Sequence, residues 1–307
     1  MSILTGYAIS TGFLGTDHTY VTSDKPPFVW SCWGRGSGGK RICRGSGNSS
    51  VANCISQSNS HAGIIYGVTG VCHQTANRIL YPARVTVSKA RGYWASSLAY
   101  GTYGTTFPEF LIRLAACNSL SSSALRSKTS VNPLEMDTGV QSTSKDDLEK
   151  AYIQKVVDVY TEQMQIPHSF NSTIMKKESS PLQRKELEFF NPAIVSGENS
   201  SLLGKELELM MEFRLGRSLD SQTTKSVLKQ QSDFLKEKGG MDRGLYSADL
   251  KIEKYVKEVN DLFGDMLTSL PEILGKDKYE KIFDLAPLKE RFVLIDSDIA
   301  VKAHERL

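Results

Sequence analysis

The chain has 307 residues, and none of its apolar runs approaches the roughly 18–20 residues that a membrane-spanning helix requires. No membrane span is therefore expected. HExxH and GxSxG are absent, and so is any CxxC pair, which removes the usual signatures of zinc peptidases, serine hydrolases and compact structural zinc sites. Histidine and cysteine are scarce, at five each. An odd number of cysteines leaves at least one thiol unpaired and speaks against an extracellular disulfide framework. The opening residues, MSILTGY, lack a basic segment followed by an apolar core. Cytoplasmic synthesis is the expectation, with export lacking a cleavable N-terminal signal as the other route.

What is present divides into two chemistries. Residues 1–143 carry 12 Lys and Arg against 5 Asp and Glu, whereas residues 144–307 carry 25 against 29. The formal net charge of +3 is thus a cancellation between a basic and an acidic half. Sixteen of the 24 glycines and all five cysteines lie in the first half. Short Val-, Ile-, Tyr- and Trp-bearing runs at 4–11, 19–22, 27–33, 62–66, 83–89 and 92–100 predict strands of an antiparallel sheet. The small, polar and basic stretch 34–60 predicts a mobile loop. Helices are predicted at 71–80 and 110–120. From residue 144 the periodicity is helical, with Leu148, Tyr152, Val156, Tyr160 and Met164 recurring every four residues. A longer apolar stripe runs from Ile252 to Leu270 before Pro271. Further helices are predicted near 181–190, 201–215, 222–238 and 276–284. The expected fold is α+β, with an antiparallel-sheet domain over 1–140 and a helical domain over 141–307. Their opposite charges suggest that the two dock.

The segment Gly67–Arg78, GVTGVCHQTANR, sets Cys72 in the first turn of a helix. Free N–H groups and the positive helix end stabilise a thiolate there and can hold an oxyanion. A buried, inert cysteine is the alternative reading. A thiol nucleophile needs a base. His304 lies near the C-terminal end and His168 follows a proline, while His73 diverges from Cys72 by about 100° around the helix. His18, in the strand sequence DHTYV, and His61, at the end of the polar stretch, remain. A strand holds a ring more firmly than a loop, which favours His18.

A histidine on an early strand, followed by further strands and then a cysteine at a helix start, resembles the circularly permuted papain-like enzymes of the NlpC/P60 superfamily. The motifs that carry the resemblance are DHTYV and GVCHQTANR, within residues 1–120. It implies a papain-like N-terminal domain with Cys72 as nucleophile and His18 as general base. It also implies a polar residue on the next strand to orient the imidazole. In PFVWSCW, Ser31 is the one ordinary hydrogen-bonding side chain.

The leading expectation is a cysteine-dependent hydrolase or acyltransferase that acts on an amide, isopeptide or ester bond of a protein, peptide or acyl substrate. It requires neither a metal nor an organic cofactor. Two alternatives stand beside it: a non-enzymatic protein whose helical region binds a partner protein, and a toxin or effector that deamidates or cleaves its targets. Gly34–Arg41, GRGSGGKR, satisfies the GxxxxGK of a phosphate loop, but Arg41 replaces the magnesium-binding Ser or Thr and no helical pattern follows. A basic loop touching an anionic substrate or partner is the preferred reading of that stretch. The first half is basic without a nucleic-acid motif, so nucleic acid is not an expected partner. Cys32, Cys43 and Cys54, eleven apart, could pair with one another on oxidation.

Overall fold

The computed structural model describes residues 2–12, 16–58, 61–125, 145–163, 198–287 and 292–305. Met164, the helix expected at 181–190 and His168 lie outside these residues. The first half contains one four-stranded antiparallel sheet of order β3-β2-β1-β4, formed by β1 (Ser2–Ser10), β2 (Asp17–Asp24), β3 (Pro27–Ser31) and β4 (Lys40–Gly47). β1 is central because both its neighbours pair along most of its length. Tyr20 pairs with Ser31 in the β2–β3 register. His18, two residues before Tyr20, therefore shares a face with Ser31 and lies diagonal to it.

Four helices complete this half: α1 (Ser49–Gln57), α2 (Cys72–Leu80), α3 (Tyr93–Tyr100) and α4 (Phe107–Leu125). The second half supplies α5 (Lys145–Gln163), α6 (Glu198–Leu215), α7 (Ser221–Tyr246), α8 (Ile252–Leu274), α9 (Lys276–Phe283) and α10 (Ser297–His304). The chain is thus mixed helix and sheet, and no helix among the described residues is long and apolar enough to cross a membrane.

The stretch 34–60 is not a loop throughout. It forms β4 and then α1, whose first turn is capped by Asn48 Oδ1 accepting from the N–H groups of Ser50 and Val51. Its polarity belongs to an edge strand with solvent along one side. Residues 92–100 form a helix instead of the predicted strand, with all eight residues of α3 buried. Residues 62–66 and 83–89 form no strand: each stretch begins in a 3-10 turn, His61–Gly63 and Tyr81–Ala83, and Tyr66 makes one isolated bridge to Gly70. Pro271 does not end α8, which continues to Leu274, itself buried. Leu148 is exposed, whereas Tyr152, Val156 and Tyr160 are buried as their spacing predicts.

The two halves share one apolar core. They meet through buried hydrogen bonds: Glu206 accepts from the Thr102 N–H, Gln231 donates to Leu98 O, Lys238 donates to Val68 O and the Tyr255 hydroxyl donates to Gly67 O. Among the described residues every ion pair lies within one half. The described contacts between the halves are apolar burial and hydrogen bonds. The sulfur pairing also differs from the sequence expectation. Cys54 of α1 bonds Cys117 of α4, and Cys32, Cys43 and Cys72 are free thiols.

Candidate active site

α2 is built to hold its first residue in place. The turn Gly67–Gly70 before it closes through Gly67 N–H to Gly70 O, with Gly67 at φ +81°. The Val71 N–H donates to Gln74 Oε1, which satisfies one of the unpaired donors of the first turn. Further along, Asn77 Nδ2 donates to Thr102 O while its Oδ1 accepts from the Val87 N–H. Arg78 is completely buried and donates to the carbonyls of Tyr103, Ala62 and Gly63 and to the Thr106 hydroxyl. Burial lowers its pKa to about 9, with Glu109 opposing that shift. The polar residues of GVCHQTANR after Cys72 therefore fasten the helix to surrounding loops.

Cys72 and His18 line one small cavity of about 20 Å³, together with Asp17, Tyr66, His73 and Asp296. That is room for about one water molecule. The Cys72 thiol points at Asp17 O, with Sγ 3.7 Å away. His18 lies on the same strand, one residue on, with Nε2 3.0 Å from Ser31 Oγ and 3.1 Å from Arg35 O. A carbonyl oxygen only accepts, so Nε2 carries the proton and donates. In the neutral ring Nδ1 is then the bare nitrogen. Nδ1 is buried and has no hydrogen-bond partner. Ser31 in turn donates towards Gly34 O and Arg35 O, which leaves its oxygen free to accept from His18.

Gly34 closes the back of the ring. A Cβ there would lie 2.4 Å from His18 Cε1 and 2.5 Å from Nε2. Burial lowers the His18 pKa, opposed by the hydrogen bond to Arg35 O and by the Asp296 carboxylate, so the ring is neutral at pH 7. Burial raises the Cys72 pKa, opposed by hydrogen bonds that include those from its own and the His73 N–H. The resting pair is accordingly a neutral thiol and a neutral imidazole. This differs from the preformed thiolate that a helix-start cysteine suggests.

His73 lines the same cavity as the thiol and shares its carbonyl acceptor. Its Nε2 donates to the same Asp17 O at 3.0 Å, and its Nδ1 faces Ser96 Oγ at 2.8 Å. Burial lowers its pKa to about 4. It pins the start of β2 to α2. His61 packs against Trp33, with ring centroids 3.6 Å apart and planes tilted by 36°, and does not line the cavity. His304 is held in place, with Nε2 3.2 Å from Tyr66 O.

Sequence reasoning missed the outer wall. Leu294 and Asp296 come from the segment that leads into α10, and Ile299 from its first turn. Asn260 of α8 holds that segment, accepting from the N–H groups of Leu294 and Ile295 and donating to Ile295 O. Ile295 is buried and fills the space over Gly67. The Asp296 N–H donates to the Tyr66 hydroxyl at 3.4 Å, and the Asp296 carboxylate caps α10 through the Ile299 N–H. The glycine motif at 34–41 leads into β4, so no helix N-terminus stands behind it to hold phosphate. No group of three or more metal-binding side chains occurs among the described residues.

No protein-family profile, curated protein or solved structure shows significant similarity to the chain.

Proposed function

We propose that the protein is a cysteine-dependent hydrolase or acyltransferase that acts on an amide, isopeptide or ester bond, with Cys72 as nucleophile, His18 as general base and Ser31 orienting the base. The observation that carries this reading is the state of His18. Its Nε2 is engaged by Ser31 and Arg35, its bare Nδ1 is buried without a hydrogen-bond partner, and the residue lines the cavity that Cys72 also lines. An unsatisfied buried nitrogen is costly in a purely structural role, and it is what a base awaiting a proton requires.

In the proposed cycle Nδ1 takes the Cys72 proton as the sulfur bonds to the substrate carbonyl carbon. The first-turn N–H groups of α2 hold the developing oxyanion. The carbonyl then reforms as the C–N or C–O bond breaks, and the imidazolium returns the proton to the leaving group. Water or an amine, deprotonated by Nδ1, attacks the thioester and releases the thiol. The order of base strand before nucleophile helix is that of the circularly permuted NlpC/P60 enzymes, and on this reading the first half is a papain-like domain. Activity depends on unprotonated His18, so it rises as pH climbs through a His18 pKa lying below 6.5.

A second reading, a non-enzymatic interaction protein, is favoured by the raised pKa and burial of the thiol. The two separate on one measurement: acylation of Cys72 by a small activated ester, followed by intact mass. Under the enzymatic reading His18→Ala slows acylation by about 10²-fold or more and Cys72→Ala abolishes it, both with thermal unfolding nearly unchanged. An unchanged rate in His18→Ala overturns the mechanism.

A further inference from the structure

The basic character of the first half is concentrated beside this site. β4 is an edge strand, paired among the described residues with β1 alone, so one row of its backbone N–H and C=O groups faces away from the sheet. Along that edge runs a trough of about 1100 Å³ lined by Arg41, Arg44, Arg84 and Lys89. All four are exposed and none forms an ion pair among the described residues. Glu149 is the one carboxylate in the lining, and it is occupied by the hydroxyls of Thr86 and Ser88. A second cavity, of about 560 Å³, shares Arg41, Ile42 and Lys89 with the trough and adds Lys40 and Arg91. Its lining also includes Asp284 and Asp17; Asp17 ion-pairs with Arg91 at 3.6 Å and lines the Cys72 cavity too. The cationic surface thus runs along β4 and borders the site through Asp17.

We propose that this trough binds an extended acidic polypeptide segment alongside β4. The open strand edge offers main-chain hydrogen bonds to such a segment, and the arginines and lysine flank it with complementary charge. No aromatic side chain lines either cavity, so the stacking platforms on which single-stranded nucleic acid depends are lacking. Among the described residues the large exposed apolar side chains, Val29, Ile112, Leu148 and Tyr246, line neither cavity, so the trough itself offers no apolar wedge for a lipid surface. As a substrate class, an acidic polypeptide rests on the reading of Cys72 as nucleophile. As a binding surface, the trough does not.

The test uses the full chain carrying Cys72→Ala, so that binding is measured apart from turnover. Fluorescence anisotropy compares a labelled (Glu-Thr)5 decapeptide with (Lys-Thr)5, a dT10 oligonucleotide and phosphatidylserine vesicles at low salt. The acidic peptide is expected to bind. Arg44→Glu with Arg84→Glu should weaken it by about tenfold or more at unchanged thermal stability, and the other three probes should bind more weakly. No binding of the acidic peptide, equal or tighter binding of any other probe, or an unchanged affinity in the charge-reversed protein overturns the proposal. If the peptide binds as expected while Cys72 proves inert towards acylation, the trough stands as a binding site and the catalytic reading falls.

Discussion

Gly34→Ala tests the geometry of the candidate base without touching a reacting atom. Gly34 does not adopt a positive φ, so an alanine meets no backbone strain. The new methyl group would nevertheless fall 2.4 to 2.9 Å from three atoms of the His18 ring. Ordinary carbon contacts begin near 3.5 Å, so the imidazole must move by about 1 Å. It then leaves its place beside Ser31 Oγ and Arg35 O, both about 3 Å from Nε2. A displacement of that size at a reacting group costs on the order of 10²-fold in rate, or roughly 2.7 kcal/mol of barrier. Gly34 is exposed and outside the core, so the melting temperature should stay close to that of the parent protein. The assay is the second-order rate of Cys72 acylation by an activated ester, with His18→Ala as the reference for complete loss of the base. A rate for Gly34→Ala equal to that of the parent protein, with His18→Ala strongly impaired, would refute the claim that the glycine fixes the ring.

Two other outcomes follow from groups around the same cavity. His73 has its pKa lowered to about 4 by burial, against 6.5 for the free residue, so the unfolded chain binds the extra proton first as pH falls. The contribution of His73 to stability is complete above pH 6.5 and is lost between 6.5 and 4, by about 3 kcal/mol. Urea denaturation across that range should show the loss in the parent protein and a much smaller one in His73→Gln. Asn260→Ala removes three hydrogen bonds that hold residues 294 and 295 over the cavity. At about 1 kcal/mol each they oppose local opening, so alkylation of Cys72 by iodoacetamide should accelerate by about 10²-fold. A fall in global stability without faster alkylation would show that the thiol is reached by another route.

The second half was the more legible in sequence, because its helices are each buried on one face. In α8 the stripe Tyr255, Val256, Val259, Phe263, Met266, Leu267 and Leu270 is buried as its spacing predicts. α3 was misread because it is buried all round, and GYWASSLAY contains neither the alternation of a strand nor the polar face of a surface helix. β4 was misread for the opposite reason, since KRICRGSG lines an open edge and so has the composition of a loop. At the candidate site, Cys72 and His18 were legible because each sits in a recognisable local setting, a helix start and a strand. Ser31 emerged only as the remaining polar side chain on its strand, and its 3.0 Å contact with His18 required the register of the sheet. Tyr66, Gly34 and Asp296 were not legible. Their roles depend on contacts such as the one between Tyr66 and Asp296, 230 positions apart, for which a local pattern has no counterpart.

That separation also sets an order of events during synthesis. The strand bearing His18 and the helix bearing Cys72 leave the ribosome long before the segment that walls their cavity. Until that segment is made the thiol has neither Leu294 nor Ile299 over it, and Tyr66 lacks the Asp296 N–H that its hydroxyl later accepts. The sulfur is therefore most open to oxidants and electrophiles on the nascent chain, and the docking of residues 292–305 is the step that shelters it.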